Sequence, residues 1–216
     1  MPVICHKYGL AFYSVPKIAC TSVKRLLYYM EHGQTPHDAR AGKDAGKTPI
    51  TLRGETGFDA DEADRLSALE SFTIVRDPIK RFLSAYANRV RFHGELDQWR
   101  VNNGSLTLRR PSRPSLAEFV DYLEDYRADS QTIRHHTQPM TYFLGSDLGR
   151  YDHVFKMEDL ESVTAFLSDR SGQPLTLPHK QKGGPRLTPE DLSDKHLTKI
   201  RDYYAADYTL LQGYYA

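Results

Sequence analysis

The stretch LAFYSVPKIACTSVKRLLYYM, residues 10–30, decides the fold, because a strand, a tight turn and a helix follow one another within it. Residues 10–15 form an apolar and aromatic run that is typical of a buried strand, and Pro16 interrupts it. Thr21 or Ser22 is expected to cap the helix that follows. One side of this helix is an apolar stripe formed by Val23, Leu26, Leu27 and Met30. Lys24 and Arg25 form the other, basic side.

The same order of elements recurs later in the chain. Residues 72–75 (FTIV) predict a second buried strand, and a helix is expected directly behind Pro78. Residues 151–156 predict a third strand, followed by a helix over 157–167. Strands that alternate with helices indicate an α/β fold with a central parallel sheet flanked by helices, in which ligands bind beyond the carboxyl ends of the strands. Two further helices are predicted over 116–126 and 192–211.

Length and composition favour one folded domain over residues 1–216, since 39% of the residues are hydrophobic and 26% are charged. The net charge is +1, so a nucleic-acid partner is not expected and any anion site must be local. No apolar run is long enough to predict a membrane span, and the first residues do not resemble a signal peptide. The only cysteines, Cys5 and Cys20, are expected to be free thiols in the cytoplasm.

The turn VPKIACTS, residues 15–22, has the features of an anion site at the start of a helix. Unpaired N–H groups there favour negative charge, and the small residues Ala19 and Cys20 let a ligand approach the backbone. Hydroxyl groups and a mobile cation would come from Thr21, Ser22 and Lys17. An ordinary capped helix with a surface lysine is the alternative. The GxxxxGK[ST] pattern of nucleotide triphosphatases is absent.

A second segment, FTIVRDPIKRFLSAY at residues 72–86, suits a terminal phosphate. Arg76 ends the predicted strand and Ser84 falls on the following helix, so a guanidinium fork and a hydroxyl are both available. Asp77 either caps that helix or orients the arginine. Arg81 is either another phosphate ligand or, as we favour, a solvated charge on the helix surface.

Together these segments resemble the sulfotransferases that use 3'-phosphoadenosine 5'-phosphosulfate (PAPS), especially the branch with the carbohydrate sulfotransferases. VPKIACTS is similar to that superfamily's 5'-phosphosulfate loop, PKxGTTxL, although Ala19 and Cys20 stand where glycine and threonine are usual. VRDPIKRFLSAY is similar to its 3'-phosphate motif, RDPxxRxxSxY, and YDHVFKMEDL at 151–160 to a later strand and helix start. The resemblance implies the P-loop-like nucleotide-binding fold of that superfamily.

The resemblance also implies a role for each motif residue. Lys17 would neutralise the bridging oxygen as the sulfuryl group departs, and no metal would be required. The 5'-phosphate would be held by hydroxyl and backbone N–H groups of Ala19, Cys20, Thr21 and Ser22. The 3'-phosphate would be held by Arg76 and Ser84, and the product of the cofactor would be 3'-phosphoadenosine 5'-phosphate (PAP).

An acceptor hydroxyl needs a base, and the stretch RHHTQP offers His136 first and His135 second. Glu95, Asp97, Glu158 and His93 remain alternatives. The basic loop HKQKGGPR, residues 179–186, either brings Lys182 or Arg186 to the 3'-phosphate or is a solvated turn. Four arginines either receive an anionic acceptor or are exposed loop charges: Arg100, Arg109, Arg110 and Arg113.

The predicted function is therefore sulfuryl transfer from PAPS to a hydroxyl or amine of a carbohydrate or small molecule. The sequence does not name the acceptor or the oligomeric state, and no membrane partner is expected. Two other functions remain open, a nucleotide-dependent kinase or hydrolase and a non-catalytic nucleotide-binding module of the same fold.

Overall fold

A computed structural model of the chain describes residues 2–34, 55–177 and 183–215. Its strands are β1 (Val3–Cys5), β2 (Leu10–Tyr13), β3 (Glu70–Val75) and β4 (His153–Lys156). A π-helix spans Tyr86–Phe92. The α-helices in the described ranges are α1 (Cys20–His32), α2 (Ala60–Arg65), α3 (Pro78–Ala85), α4 (Gln98–Asn102), α5 (Leu116–Asp121), α6 (Leu123–Asp129), α7 (Gln131–Thr137), α8 (Met140–Leu144), α9 (Leu160–Ser171), α10 (Asp194–Tyr203) and α11 (Ala205–Leu210).

The strands form one sheet in the order β1-β2-β3-β4. Strands β2, β3 and β4 are parallel, as the sequence predicts, whereas β1 runs antiparallel to β2. The predicted parallel sheet is therefore confirmed for these three strands, whereas the sheet as a whole is mixed. Only a short 3-10 turn and Gly9, at φ +63°, separate β1 from β2. A connection this short forms a hairpin and cannot cross over to a parallel strand.

By their internal contacts the residues divide into two units, 1–76 with 140–180 and 77–139 with 181–216. The first unit contains the sheet, which helices α1 and α9 flank. In its core the ring of Phe12 stacks on that of Phe72, with centroids 4.9 Å apart, and Phe166 of α9 meets the edge of Phe72 at 5.4 Å. The α/β class is thus confirmed. That the whole chain is one domain with a P-loop-like fold stays a prediction.

The second unit is helical, and the apolar face of α3 lies at the centre of its core. Phe119 of α5 packs on Phe82 and Tyr86, with ring centroids 5.5 and 5.3 Å apart. Further buried members of this core include Val120, Leu123, Tyr126, Ile133, Ile200 and Tyr204. Within the described residues, no helix has the length and hydropathy needed to cross a membrane.

Two helices that the sequence predicts as continuous are each broken at a tyrosine. The predicted helix over 116–126 is α5 and α6, separated by Tyr122 at φ −113° and ψ 27°. The predicted helix over 192–211 is α10 and α11, separated by Tyr204 at φ −102° and ψ 22°. Helices α5, α6 and α10 each bury apolar residues, whereas α11 buries Asp207 and packs the partly buried Tyr208 against the core. A hydrophobic pattern therefore continues across a break of one residue, and periodicity alone does not detect it.

Arg81 of α3 is fully buried in the second unit, so the prediction of a solvated helix charge is wrong. Its guanidinium donates to the backbone carbonyl of Gln138 and lies 3.9 Å from the carboxylate of Asp207 on α11. The side chains of both members of this ion pair have no solvent exposure. The face of Tyr204 covers the guanidinium at 5.3 Å. A buried arginine needs such acceptors, because an uncompensated charge in the core is strongly destabilising.

A cluster of charged and titratable side chains lies at the start of β3. Glu70 accepts hydrogen bonds from Arg170 of α9 and lies 2.7 Å from the His153 ring of β4. The hydrogen bond from Arg170, supported by His153, lowers the pKa of Glu70 from its ordinary value to about 2. The ionised carboxylate is therefore favoured in the folded state relative to the unfolded chain.

We expect Asp207→Asn to lower the free energy of unfolding by about 3 kcal/mol, since it leaves the Arg81 charge buried without a counter-charge. Urea denaturation followed by circular dichroism measures the change. Asp202→Asn on the exposed side of α10 is the matched control, and it should unfold at the parent midpoint. Equal midpoints for both variants would contradict a stabilising role for the buried pair.

The lowered pKa of Glu70 makes a signed prediction for acid stability. Its contribution is present above the unfolded value of about 4.3 and is lost as the pH falls toward about 2. Glu70→Gln should therefore be less stable than the parent at pH 6, and the difference should shrink to nothing near pH 2. Unfolding curves across this range test it. The free energy of unfolding of Glu161→Gln, at an exposed site on α9, should change with pH in the same way as that of the parent.

Candidate functional site

The turn between β2 and α1 has an unusual backbone. Lys17 lies at φ +74° and Ala19 at φ +63°, both in the left-handed region that glycine usually occupies. Helix α1 begins at Cys20, and Ala19 is its N-cap without any capping side chain. The prediction that Thr21 or Ser22 caps this helix is therefore wrong. Both residues lie within the first helical turn instead.

The uncapped start of α1 leaves backbone donors at the turn. The Ala19 carbonyl accepts from the N–H groups of Ser22, at 2.9 Å, and of Val23, at 3.2 Å. Among the described residues, nothing accepts from the N–H groups of Cys20 and Thr21. Unpaired N–H groups and the positive end of the helix dipole favour an anion at this point. The local geometry is thus compatible with the anion site that the sequence predicts.

Arg76 joins the two predicted motifs. It follows the last residue of β3, and its Nη1 donates a 2.9 Å hydrogen bond to the backbone carbonyl of Lys17. Lys17 and Arg76 are both half-buried. Because the carbonyl belongs to a residue with positive φ, this hydrogen bond helps to hold the strained turn. The structure therefore brings Arg76 and Lys17 together, and their roles toward phosphate groups stay predictions.

A buried polar cluster lies beside this turn. Lys24 of α1 forms a 2.7 Å ion pair with Glu55, and the two side chains are only 5% and 8% exposed. Ser14 donates to the same carboxylate oxygen at 3.3 Å. The sequence places Lys24 on the basic side of α1, and the structure shows that this position is buried. Burial, together with the charge of Glu55, raises the pKa of the Cys20 thiol to about 12, so this thiol stays protonated near neutral pH.

In the second unit, the start of α3 follows the sequence prediction. Asp77 is the N-cap, and its side chain accepts from the Lys80 N–H at 2.8 Å, while Pro78 occupies the first turn. The capping role of Asp77 is thus confirmed. Ser84 lies half-buried near the end of α3, and the π-helix begins two residues later. Its predicted contact with a 3'-phosphate stays a prediction.

His136, the first candidate base, is half-buried in the last turn of α7. Its Nδ1 lies 2.9 Å from the carbonyl oxygen of Thr132, and its Nε2 accepts from Nε of Arg89 at 2.9 Å. The ring of His135 meets it edge-on at 5.1 Å. Both nitrogens of His136 therefore have protein partners. Sequence reasoning missed Arg89, because on a regular helix it looks like one more surface charge.

The other candidate bases differ in their surroundings. Glu95 lies between Arg89, at 3.6 Å, and Arg100, at 3.3 Å, and its side chain is 13% exposed. His93 and Glu158 are exposed.

The four loop arginines each pair with a carboxylate: Arg100 with Glu95, Arg109 with Asp129, Arg110 with Asp125 and Arg113 with Asp97. These pairs favour the interpretation as loop charges over a preformed anion site.

The described end of the glycine-bearing basic loop packs on the π-helix. Gly184 lies at φ +90°, and a Cβ there would stand 2.0 Å from the carbonyl oxygen of Ala87. Only glycine fits both the dihedral angle and the space. Arg186 is exposed, and Lys182 lies outside the described residues. Within residues 2–34, 55–177 and 183–215, no group of three or more His, Cys, Asp and Glu side chains is placed to hold a metal ion.

Comparison with known proteins identifies relatives over nearly the whole chain. A sequence profile of the sulfotransferase family matches residues 2–215. Carbohydrate sulfotransferase 14 of Danio rerio is 26% identical over 222 residues, which cover 93% of this chain and 58% of that protein. Carbohydrate sulfotransferase 11 of Mus musculus is 25% identical over 231 residues, with 96% and 65% covered. The chain thus spans about three fifths of the length of these relatives. No solved structure matches it significantly.

The strained turn predicts a stabilising substitution. Ala19→Gly removes the Cβ at φ +63°, whose clash destabilises the folded state by about 1–2 kcal/mol. Against this gain, glycine makes the unfolded chain more flexible, which lowers the free energy of unfolding by roughly 0.4–1 kcal/mol. We expect a net gain near 0.5–1 kcal/mol, seen as a rise of a few degrees in Tm. Calorimetry of Ala19→Gly and of Ala117→Gly, an exposed position in α5, makes the comparison. The second variant should lose stability, and a loss in both would contradict strain at residue 19.

Proposed function

The chain belongs to the sulfotransferase family, and from this premise we propose that it transfers a sulfuryl group from PAPS to a hydroxyl or amine of an acceptor. One observation carries the proposal, the 2.9 Å hydrogen bond from Arg76 to the Lys17 carbonyl. It links the two segments that resemble the 5'-phosphosulfate and 3'-phosphate motifs. Two arginine or lysine side chains at the carboxyl ends of neighbouring parallel strands suit a ligand with two separate phosphate groups.

In this proposal the donor lies along the turn at the start of α1. The N–H groups of Cys20 and Thr21, with the hydroxyls of Thr21 and Ser22 and the backbone at Ala19, bind the 5'-phosphate. Arg76 and Ser84 bind the 3'-phosphate, and Lys182 or Arg186 adds a further cation. Lys17 stabilises negative charge on the oxygen that bridges phosphorus and sulfur, and no metal ion takes part.

The reaction breaks one sulfur–oxygen bond and forms another. The acceptor oxygen attacks sulfur, and the bond from sulfur to the bridging oxygen breaks, so that PAP leaves with the electron pair of that bond. The proton of the acceptor hydroxyl passes to a base, for which we propose His136, with His135 as the second choice. Catalysis then rests on in-line positioning and on charge stabilisation by Lys17, as in phosphoryl transfer.

For the acceptor, we propose a carbohydrate, since the relatives carry the name carbohydrate sulfotransferase. A small hydroxylated molecule is the second choice. The cytoplasm remains our proposal for the compartment, on the sequence features given above. Neither nucleic acid nor a membrane is proposed as a partner.

The proposal is tested by the response of the protein to PAP and to adenosine 5'-phosphate (AMP), which lacks the 3'-phosphate. PAP should raise Tm more than AMP at equal concentration, without metal, and ATP with magnesium should have little effect. Arg76→Ala should raise the Kd for PAP by about 10- to 100-fold, as expected for a lost hydrogen bond to a charged group, and should change AMP binding much less. Titration calorimetry measures both.

The comparison of ligands separates two roles of Arg76. If Arg76 only supports the turn through the Lys17 carbonyl, Arg76→Ala weakens PAP and AMP equally. Arg65→Ala at the exposed end of α2 is the control and should bind both as the parent does. Equal stabilisation of the parent by PAP and AMP would overturn the donor assignment. Stabilisation by ATP with magnesium alone would favour a kinase or hydrolase, and PAP binding without turnover of any acceptor would favour a non-catalytic module.

A further inference from the structure

The hydrogen bonds of His136 define which of its nitrogens carries the proton. Arg89 Nε is a donor only, so Nε2, 2.9 Å away, must accept. The Thr132 carbonyl is an acceptor only, so Nδ1, also 2.9 Å away, must donate. The ring is therefore neutral, with its single proton on Nδ1. A second proton on Nε2 would turn this hydrogen bond into a contact between two cations.

Arg89 is itself held in place. It lies on the π-helix, and its Nη1 is 3.6 Å from the carboxylate of Glu95. The Glu95 backbone N–H donates to the Arg89 carbonyl at 3.0 Å, which ties the two residues at the main chain as well. Arg100 lies 3.3 Å from the other side of the same carboxylate. The Arg89 guanidinium therefore has two acceptors within reach, Nε2 of His136 and Glu95.

Among the described residues of the second unit, two further cations lie at the end of α7, and each has a carboxylate partner, Asp207 for Arg81 and Glu124, at 3.5 Å, for Arg127. Arg81 of α3 points Nη1 at the His136 carbonyl, at 3.5 Å, and is paired with Asp207 of α11. Arg127 of α6 binds the carbonyl of Arg134 and the side chains of Thr137 and Gln138. The neighbouring His135 ring is a further titratable group. The carbonyl end of α7 favours a positive charge on the His136 ring and so opposes the effect of Arg89. Arg81 and Arg127 already donate to carbonyls there, which weakens this opposing effect.

We propose that Arg89 is a positioning residue for sulfuryl transfer, which keeps His136 neutral in the Nδ1–H tautomer with Nε2 ready to take a proton. This inference rests on the proposed function, in which His136 is the base. In the reaction the acceptor O–H replaces the Arg89 N–H at Nε2, and Glu95 receives the guanidinium. The hydroxyl proton moves to Nε2, the oxygen bonds to sulfur, and PAP departs with the electrons of the broken bond.

Nuclear magnetic resonance of protein labelled with ¹⁵N in its histidine rings tests the inference without any substrate. The nine histidines are separated by comparison with His136→Gln, whose spectrum lacks the signals of interest. In the parent, the ¹⁵N shifts should report a protonated Nδ1 and an unprotonated Nε2. In Arg89→Leu the two tautomers should mix, and the ring should take up its second proton at a higher pH than in the parent, because the cation 2.9 Å from Nε2 is gone.

Matched variants and kinetics connect this titration to the reaction. Arg91→Leu, at an exposed position on the same π-helix, should leave tautomer and titration unchanged, and Arg89→Lys, which keeps the cation, should titrate close to the parent. In the proposed assay with PAPS and a carbohydrate acceptor, the acid limb of the kcat–pH profile should move upward in Arg89→Leu by the same interval. The Kd for PAP should stay within about twofold of the parent. Thermal unfolding confirms that each variant is folded.

The outcomes are distinct. An Arg89→Leu protein that is folded and shows the parent tautomer and titration would overturn the inference. A changed titration with an unchanged kcat–pH profile would also overturn it, because Arg89 would then act on the ring without acting on the reaction. Absence of turnover in the parent with PAPS would count against the proposed function alone, since the ring spectra judge the contact between Arg89 and His136 independently.

Discussion

Parallel pairing of β2 with β3 is the constraint from which the candidate donor site follows. The register sets Tyr13 beside Thr73, so the two strands end side by side and the turn after β2 lies next to the residue after β3. This geometry brings the Arg76 guanidinium to the Lys17 carbonyl. The left-handed dihedral angles at Lys17 and Ala19 then reverse the chain into α1 within a few residues. A slip of one residue in this register would turn Arg76 to the other side of the sheet.

Several of these features could be predicted from the sequence, because they depend on local patterns. Apolar runs at residues 10–15 and 72–75 located β2 and β3, and the segment YDHVFK at 151–156 located β4. Asp77 before Pro78 marked the start of α3 correctly. The resemblance of the two motifs identified the family that the profile matches over residues 2–215. That residues 3–5 form a separate strand, antiparallel to β2, was missed because a three-residue strand carries little periodic signal. It is fixed by pairing with β2 and not by its own sequence.

The charged residues were harder to predict, because their environment depends on residues far away in sequence. Arg81 and Lys24 both occupy helix positions that look solvated, yet each is buried with a carboxylate from another part of the chain. One signal was present for Arg81. Asp207 stands among Ile200, Tyr204 and Leu211 at helical spacing, and an acid on an apolar face indicates a buried cation opposite. Arg89 carried no comparable signal, since the π-helix that positions it has no distinct sequence pattern.

The buried pair of Arg81 and Asp207 also affects how the chain folds during its synthesis. Arg81 emerges from the ribosome long before Asp207, so the helical core around α3 cannot close over a neutralised guanidinium until α11 has been made. In the first unit, β2, α1 and β3 emerge early. The parallel pairing of β2 with β3 involves no residue of the last helices. During synthesis the second unit is therefore completed late. During that interval its apolar helix faces remain open to molecular chaperones.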